Sequence, residues 1–246
     1  MIIIGHRGAK GYIPENTIAS FEKAIAIGVD MIELDVYALK SGEIVVIHDP
    51  TVDRTTNGTG NVADYTFSAI RKLDAGNGQL VPLLTEVLDI IHRRMPINIE
   101  LKGAGSARGV AKIIRHYTRH LGWRQDLFLV SSFDIEELRT FARLSPKTPT
   151  ATLFTRVPAS YWQKTPDETD HPANISVAHL TRKTVQNAHK KGMRVYAYTI
   201  NSRSEAQRMR KLFVDGIFSD YPDRVSSLSA RPRRTAHSKR LLPSRS

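Results

Sequence analysis

Strand-like and helix-like segments alternate along this chain, and that alternation restricts its fold more than any other feature. Short β-branched or apolar runs occupy residues 2–5, 31–35, 97–101, 127–131, 150–153, 175–177, 194–198 and 215–218. Between most of them lie stretches with apolar residues at helical spacing, at 18–27, 83–93, 107–121, 134–144, 181–191 and 203–212. Strands separated by helices run parallel and are joined by crossovers. Eight such strands predict a closed (β/α)8 barrel; an open doubly wound sheet is the other arrangement sharing this alternation. A length of 246 residues suits a single barrel.

One run breaks the order. Residues 43–47 lie only a short Lys40-Ser41-Gly42 turn from the second strand, a link that permits an antiparallel hairpin but no parallel crossover. A turn centred on Ser41-Gly42 sets His48 opposite Asp35 and returns it to the barrel mouth. Residues 50–82, with Thr55-Thr56-Asn57-Gly58-Thr59-Gly60, read as a small polar insertion over that mouth. The barrel domain is expected over 1–224, followed by a separate tail at 225–246.

Glu33 and Asp35 are two residues apart on one strand and so share a face, while Ile32, Leu34 and Val36 face the other way. Two carboxylates inside a barrel repel each other and lose solvation unless something compensates them, and a divalent cation is the simplest compensation. Glu100 and Lys102 repeat the pattern on the strand at 97–101. Three carboxylates in a chain without cysteine suit Mg2+ or Ca2+ better than zinc. Salt bridges from these acids to Arg7 and Lys102, without metal, are the alternative. His6 and His48 both fall at strand ends, the rim where barrels carry their active sites. With Arg7 beside His6, this inventory fits metal-assisted chemistry on a phosphate ester, with one imidazole activating the nucleophile and the other protonating the leaving alkoxide. Of the other seven histidines, His179 alone is near enough to a strand end to face the mouth; the rest read as surface or packing residues. No G-x-x-x-x-G-K-[ST] pattern is present, so nucleoside triphosphate chemistry is unsupported.

The net charge of +12 is unevenly placed, because Arg231, Arg233, Arg234, Lys239, Arg240 and Arg245 all follow the last acidic residue, Asp223. This Ser/Pro/Arg-rich tail has little to bury and is expected to be disordered and solvated; weak docking to anionic lipid or nucleic acid is the alternative, at about 1 kcal/mol per basic residue near an anionic membrane. No nucleic-acid partner is expected, and no feature sets an oligomeric state. Met1-Ile2-Ile3-Ile4 is too short for a signal-peptide core, and no stretch approaches a membrane span. A soluble, cytoplasmic protein is the expectation.

His6-Arg7-Gly8, Pro14-Glu15-Asn16-Thr17, Glu33-Leu34-Asp35-Val36, His48-Asp49, Glu100-Leu101-Lys102, Tyr198-Thr199-Ile200-Asn201 and the segment Asp215 to Pro222 resemble, in order, the glycerophosphodiester phosphodiesterases. The resemblance runs from residue 2 to about 224. It implies a TIM barrel with an insertion after the His48-Asp49 block, and hydrolysis of glycerophosphodiesters to sn-glycerol 3-phosphate and an alcohol. By the same resemblance, Glu33, Asp35 and Glu100 match the metal ligands, His6 and His48 the acid/base pair, and Arg7 and Lys102 the phosphate contacts. Tyr198 stands where that family often has tryptophan, and Phe133 is expected to line the same pocket. A lysophospholipase D or phospholipase C-like activity on lipid phosphodiesters is the enzymatic alternative, with the Tyr161-Trp162 segment offering apolar surface. A non-catalytic barrel that binds anionic ligands is disfavoured by the joint presence of both histidines and all three carboxylates.

Overall fold

The computed structural model describes residues 1–164 and 171–226. Its elements are β1 (Ile2–Gly5), α1 (Ile18–Ile27), β2 (Met31–Ala38), β3 (Ile44–Val46), α2 (Phe67–Ile70), α3 (Leu84–Ile91), β4 (Ile97–Leu101), α4 (Ser106–His120), β5 (Phe128–Ser132), α5 (Ile135–Leu144), β6 (Thr150–Phe154), α6 (Ala159–Lys164), β7 (Ala173–Ser176), α7 (Arg182–Lys190), β8 (Val195–Tyr198), α8 (Arg203–Lys211), β9 (Gly216–Ser219) and α9 (Pro222–Ser226). All strands except β3 pair in parallel, and β1 bonds to both β2 and β9, which closes the ring. This is a (β/α)8 TIM barrel, as the alternation predicts.

Local chemistry fixes the crossovers. Thr17 caps α1 by accepting from the Ser20 N–H, and Gly28 ends it at φ +87°. Asp134 caps α5, Thr181 caps α7, and a Ser202/Glu205 capping box starts α8. Alternation along the strands then divides the interior from the shell. Ile32, Leu34, Val36, Ile97, Ile99 and Leu101 face outward and pack in one large cluster with Phe21, Leu88, Ile114 and Phe141 of the helices. Phe21 and Phe141 are fully buried, each worth roughly 1.5–3 kcal/mol of apolar transfer. Inside the ring, Ile4, Met31, Leu129, Ala151, Tyr196 and Phe218 form a second apolar cluster. Two residues beyond Met31 on the same face of β2 stands Glu33, and beyond it Asp35. The barrel interior is therefore apolar toward the N-terminal ends of its strands and acidic toward their C-terminal ends.

The hairpin of β2 and β3 differs from the sequence expectation by one residue. Val36 pairs with Val46 and Ala38 with Ile44, and the Ile47 N–H donates to the Asp35 carbonyl at 3.0 Å. Ile47, not His48, thus stands opposite Asp35. The cause is a loop of three residues, Lys40-Ser41-Gly42, centred on Ser41. The Leu39 N–H donates to the Glu43 carbonyl at 2.8 Å, and Gly42 closes the turn at φ +98°. His48 leaves the ladder one residue later and still reaches the rim. Residues 48–83 carry α2 and a 3₁₀ turn at Val62–Asp64, held by a cluster of Leu39, Val45, Ile47, Val52, Val62, Ile70, Ala75 and Val81.

Helix α6, between β6 and β7, has no counterpart among the expected helices. It is six residues long, too short to show a period, and Tyr161 packs edge-on to Phe154 at 4.7 Å. At the far end, Val225 is buried within α9, so the packed body runs past residue 224. The remainder of the expected tail lies outside the described residues.

Candidate active site

After β1 the chain must turn sharply to place His6 and Arg7 at the rim. The His6 N–H donates to the Ser219 carbonyl at 3.0 Å, continuing the β1–β9 ladder, and Arg7 at φ +53° and Gly8 at φ +86° then reverse direction. The reversal is bolted to the first turn of α1. Ser20 Oγ donates to the Arg7 carbonyl at 3.0 Å, and the Ala9 N–H reaches both Ser20 Oγ at 3.0 Å and the Ser20 carbonyl at 3.2 Å. A Cβ on Gly8 would sit 2.4 Å from Ser20 Oγ and 2.7 Å from the Ser20 carbonyl group. Gly8→Ala is therefore expected to destabilise the fold by about 3 kcal/mol, read as a lower urea midpoint at unchanged slope.

Glu33 and Asp35 project from β2 and Glu100 from β4, where Asp35 and Glu100 are in register. One oxygen from each carboxylate lies within 4.8 Å of the other two, and all three side chains are buried. The Arg7 N–H donates to Glu33 Oε2 at 2.8 Å, Asn16 Nδ2 to Asp35 Oδ2 at 3.0 Å, and Lys102 Nζ to Glu100 Oε1 at 2.9 Å. Arg7 Nε lies 3.4 Å from Asp35 Oδ2, and Lys102 Nζ 3.9 Å from Asp35 Oδ1. Three acids thus face two cations. Asp35 Oδ1 is buried without a hydrogen-bond partner among the described residues. Burial first, then the neighbouring carboxylates Asp35 and Glu100, pushes Glu33 well above the usual carboxylate range. Burial and Asp35 push Glu100 up to about 7 despite Lys102. Such crowding of hard oxygen donors, with one buried oxygen that accepts no hydrogen bond, fits a divalent cation. The salt bridges to Arg7 and Lys102 are formed, and the three carboxylates are also close enough to hold a metal ion.

Each histidine is held by a carboxylate on Nδ1. His6 Nδ1 is 2.6 Å from Asp220 Oδ1, and Asp220 is itself fixed by Asn201, whose Nδ2 donates at 2.8 Å. His48 Nδ1 is 2.5 Å from Asp49 Oδ1, and its Nε2 lies 3.2 Å from Lys102 Nζ. Burial lowers the pKa of both imidazoles, outweighing the carboxylates beside them. A carboxylate on Nδ1 sets the tautomer and leaves Nε2 as the exchanging nitrogen.

The two aromatic residues also join the site. Phe133 and Tyr198 meet edge to face at 6.2 Å, Tyr198 meets Phe218 at 6.2 Å, and Phe218 meets His6 at 6.5 Å. Lys102 Nζ lies 5.8 Å over the Phe133 ring. The Tyr198 hydroxyl is taken up by the Phe154 carbonyl at 2.8 Å, so its ring, not its oxygen, faces Phe133. Phe133 is 46% exposed at the open end of this row. His179 instead lies 3.4 Å from Arg156, apart from these contacts.

All nine residues expected from sequence are thus linked by direct contacts around one rim. Sequence reasoning gave no role to Glu15, Asn16, Asp49, Arg54, Asn201 or Asp220. Five of these lie in the segments that carry the family resemblance and could have been flagged there. Arg54 lies in none of them.

A closed parallel barrel with a buried acidic triad, two carboxylate-held histidines and two cationic side chains at its C-terminal rim fits a phosphoric diester hydrolase, and the family match makes it one. The chain belongs to the glycerophosphoryl diester phosphodiesterase family, whose model matches residues 6–224. It is 38% identical over 240 residues to the glycerophosphodiester phosphodiesterase of Bacillus altitudinis, covering 91% of this chain and 96% of that relative. A lysophospholipase D from Mus musculus is 28% identical, with coverage of 90% and 84%. Among solved structures, a phosphodiesterase from Oleispira antarctica, in complex with the product sn-glycerol-3-phosphate, superposes with a TM-score of 0.83 at 28% identity, covering 92% of this chain and 96% of that one. The protein is an enzyme with glycerophosphodiester phosphodiesterase activity. Among the described residues, no helix is long and apolar enough to cross a membrane.

Proposed function

We propose that the enzyme hydrolyses glycerophosphodiesters to sn-glycerol 3-phosphate and a free alcohol, with one Mg2+ or Ca2+ held by Glu33, Asp35 and Glu100. The observation that carries this reading is the buried triad, in which Asp35 Oδ1 accepts no hydrogen bond. The bound product of the Oleispira relative supports the product assignment. When bound, the cation supplies positive charge for the phosphate oxygens as they gain charge in the transition state.

The chain's own residues do the rest. Arg7 and Lys102 draw in the phosphate group; burial opposes both charges, yet the acids around them raise both pKa values and keep them cationic. One imidazole, through Nε2, takes the proton of the attacking hydroxyl as its oxygen bonds to phosphorus. The other, protonated beforehand, gives its proton to the alkoxide as the opposite P–O bond breaks. Asp220 and Asp49 stabilise whichever imidazolium is present. Phe133 and Tyr198 pack against the substrate beyond the phosphate.

The test is turnover of glycerophosphocholine and of lysophosphatidylcholine after chelation, then after addition of single metals. Chelation is expected to abolish activity, Mg2+ or Ca2+ to restore it, and glycerophosphocholine to react faster. Faster reaction of the lysolipid would transfer the assignment to a lysophospholipase D.

A further inference from the structure

Arg54 belongs to the segment after β3, and none of the steps above uses it. Its guanidinium faces two carboxylates at once. Nε donates to Asp49 Oδ2 at 2.5 Å and Nη2 to Asp49 Oδ1 at 3.1 Å, while Nη2 and Nη1 reach Glu15 Oε1 and Oε2 at 2.7 and 3.0 Å. Each of those carboxylates holds one member of the site. Asp49 Oδ1 is the partner of His48 Nδ1, and Glu15 Oε1 accepts from Arg7 Nη1 at 2.8 Å. A single planar fork therefore ties together the loop before α1, the end of the hairpin and the insertion.

We propose that Arg54 is a positioning residue that orients His48 through Asp49 and Arg7 through Glu15. The inference rests on the roles assigned above to His48 and Arg7. A lone Asp49 can swing about two side-chain torsions and carry the imidazole with it; fixing both of its oxygens removes that freedom. Glu15 without Arg54 keeps Arg7 as its one cation and competes with the phosphate for it. The strong lowering of the Glu15 pKa, to about 2, follows from Arg54 and Arg7 together against the effect of burial. A lysine at position 54 supplies the charge but not the fork, and cannot span both carboxylates.

Arg54 is about half exposed, and exposed ion pairs contribute little to folding. Arg54→Ala is therefore expected to keep the wild-type melting temperature and metal affinity while kcat for glycerophosphocholine falls about 10- to 100-fold. Arg54→Lys should recover little of that loss. Because the effect on His48 passes through Asp49, the double variant Arg54→Ala/Asp49→Asn should lose far less than the product of the two single losses. His48→Ala is run in parallel. If it is inactive while Arg54→Ala retains kcat within twofold of wild type, the positioning role is wrong and the site assignment stands. Full rescue by lysine, or strictly multiplicative losses in the double variant, would also overturn it. An active His48→Ala variant would remove both the inference and the reading beneath it.

Discussion

Replacing His6 or His48 by alanine is expected to lower kcat for glycerophosphocholine by about 100- to 10,000-fold, with the fold intact. The two imidazoles are built alike: each is partly buried, each has a carboxylate on Nδ1, and each has its pKa lowered by burial toward the neutral form. That symmetry suits a reaction needing one proton removed and one delivered, because each ring has a carboxylate on Nδ1 to stabilise its imidazolium when it forms. Neither truncation opens the hydrophobic core. Asp220 keeps Asn201 and Lys10, at 2.8 and 3.6 Å, and Asp49 keeps Arg54. Single-turnover rates and melting curves on both variants check the expectation. Either variant turning over at more than about a tenth of the wild-type rate would contradict the acid/base assignment.

The second large effect is on stability. In the metal-free protein, Glu33 and Glu100 keep their protons to higher pH than in the unfolded chain, since their pKa values are raised, for Glu100 from 4.5 to about 7. A carboxyl whose pKa rises on folding contributes its full share at acid pH and loses it as pH climbs from the unfolded value through the folded one. For Glu100 alone the loss between about pH 4.5 and 7 is about 3 kcal/mol. Cation binding at the proposed site should reverse this, because a cation favours the ionised carboxylates. Saturating Mg2+ or Ca2+ at a hundredfold over Kd is worth about 2.7 kcal/mol, or roughly 5–10 °C for a chain of this size. Calorimetry should show that gain at pH 7.5 and a much smaller one at pH 5. Glu100→Gln should cut it to about half or less at the same metal concentration. Equal gains at both pH values would mean the ion binds elsewhere.

The fold was legible because short apolar runs alternate with helical spacing and, among the described residues, the acids interrupt the inward face of only two strands. Ile97, Ile99 and Leu101 pack outward while Glu100 points inward, so period-two patterning located β4 and the acid together. Helix α6 was not legible, since six residues hold less than two turns. The hairpin register slipped by one because sequence indicates a turn near Gly42 but not whether two or three residues fill it. In the candidate site, residues at strand ends could be picked out by position. Their partners could not: His6 and Asp220 are 214 residues apart and meet only because β1 closes on β9. Arg54 was hidden for another reason. It is one basic residue among the 36 of this chain, and only its two-carboxylate geometry separates it from a solvated surface side chain.

The most direct measurement is calorimetric titration of the chelator-treated protein with Mg2+ and Ca2+ at pH 7.5, for wild type, Glu33→Gln and Glu100→Gln. One ion per wild-type chain is expected, with affinity at least about tenfold weaker in each variant. Binding of equal strength in the glutamine variants, or no binding in the wild type, would contradict a cation held between β2 and β4.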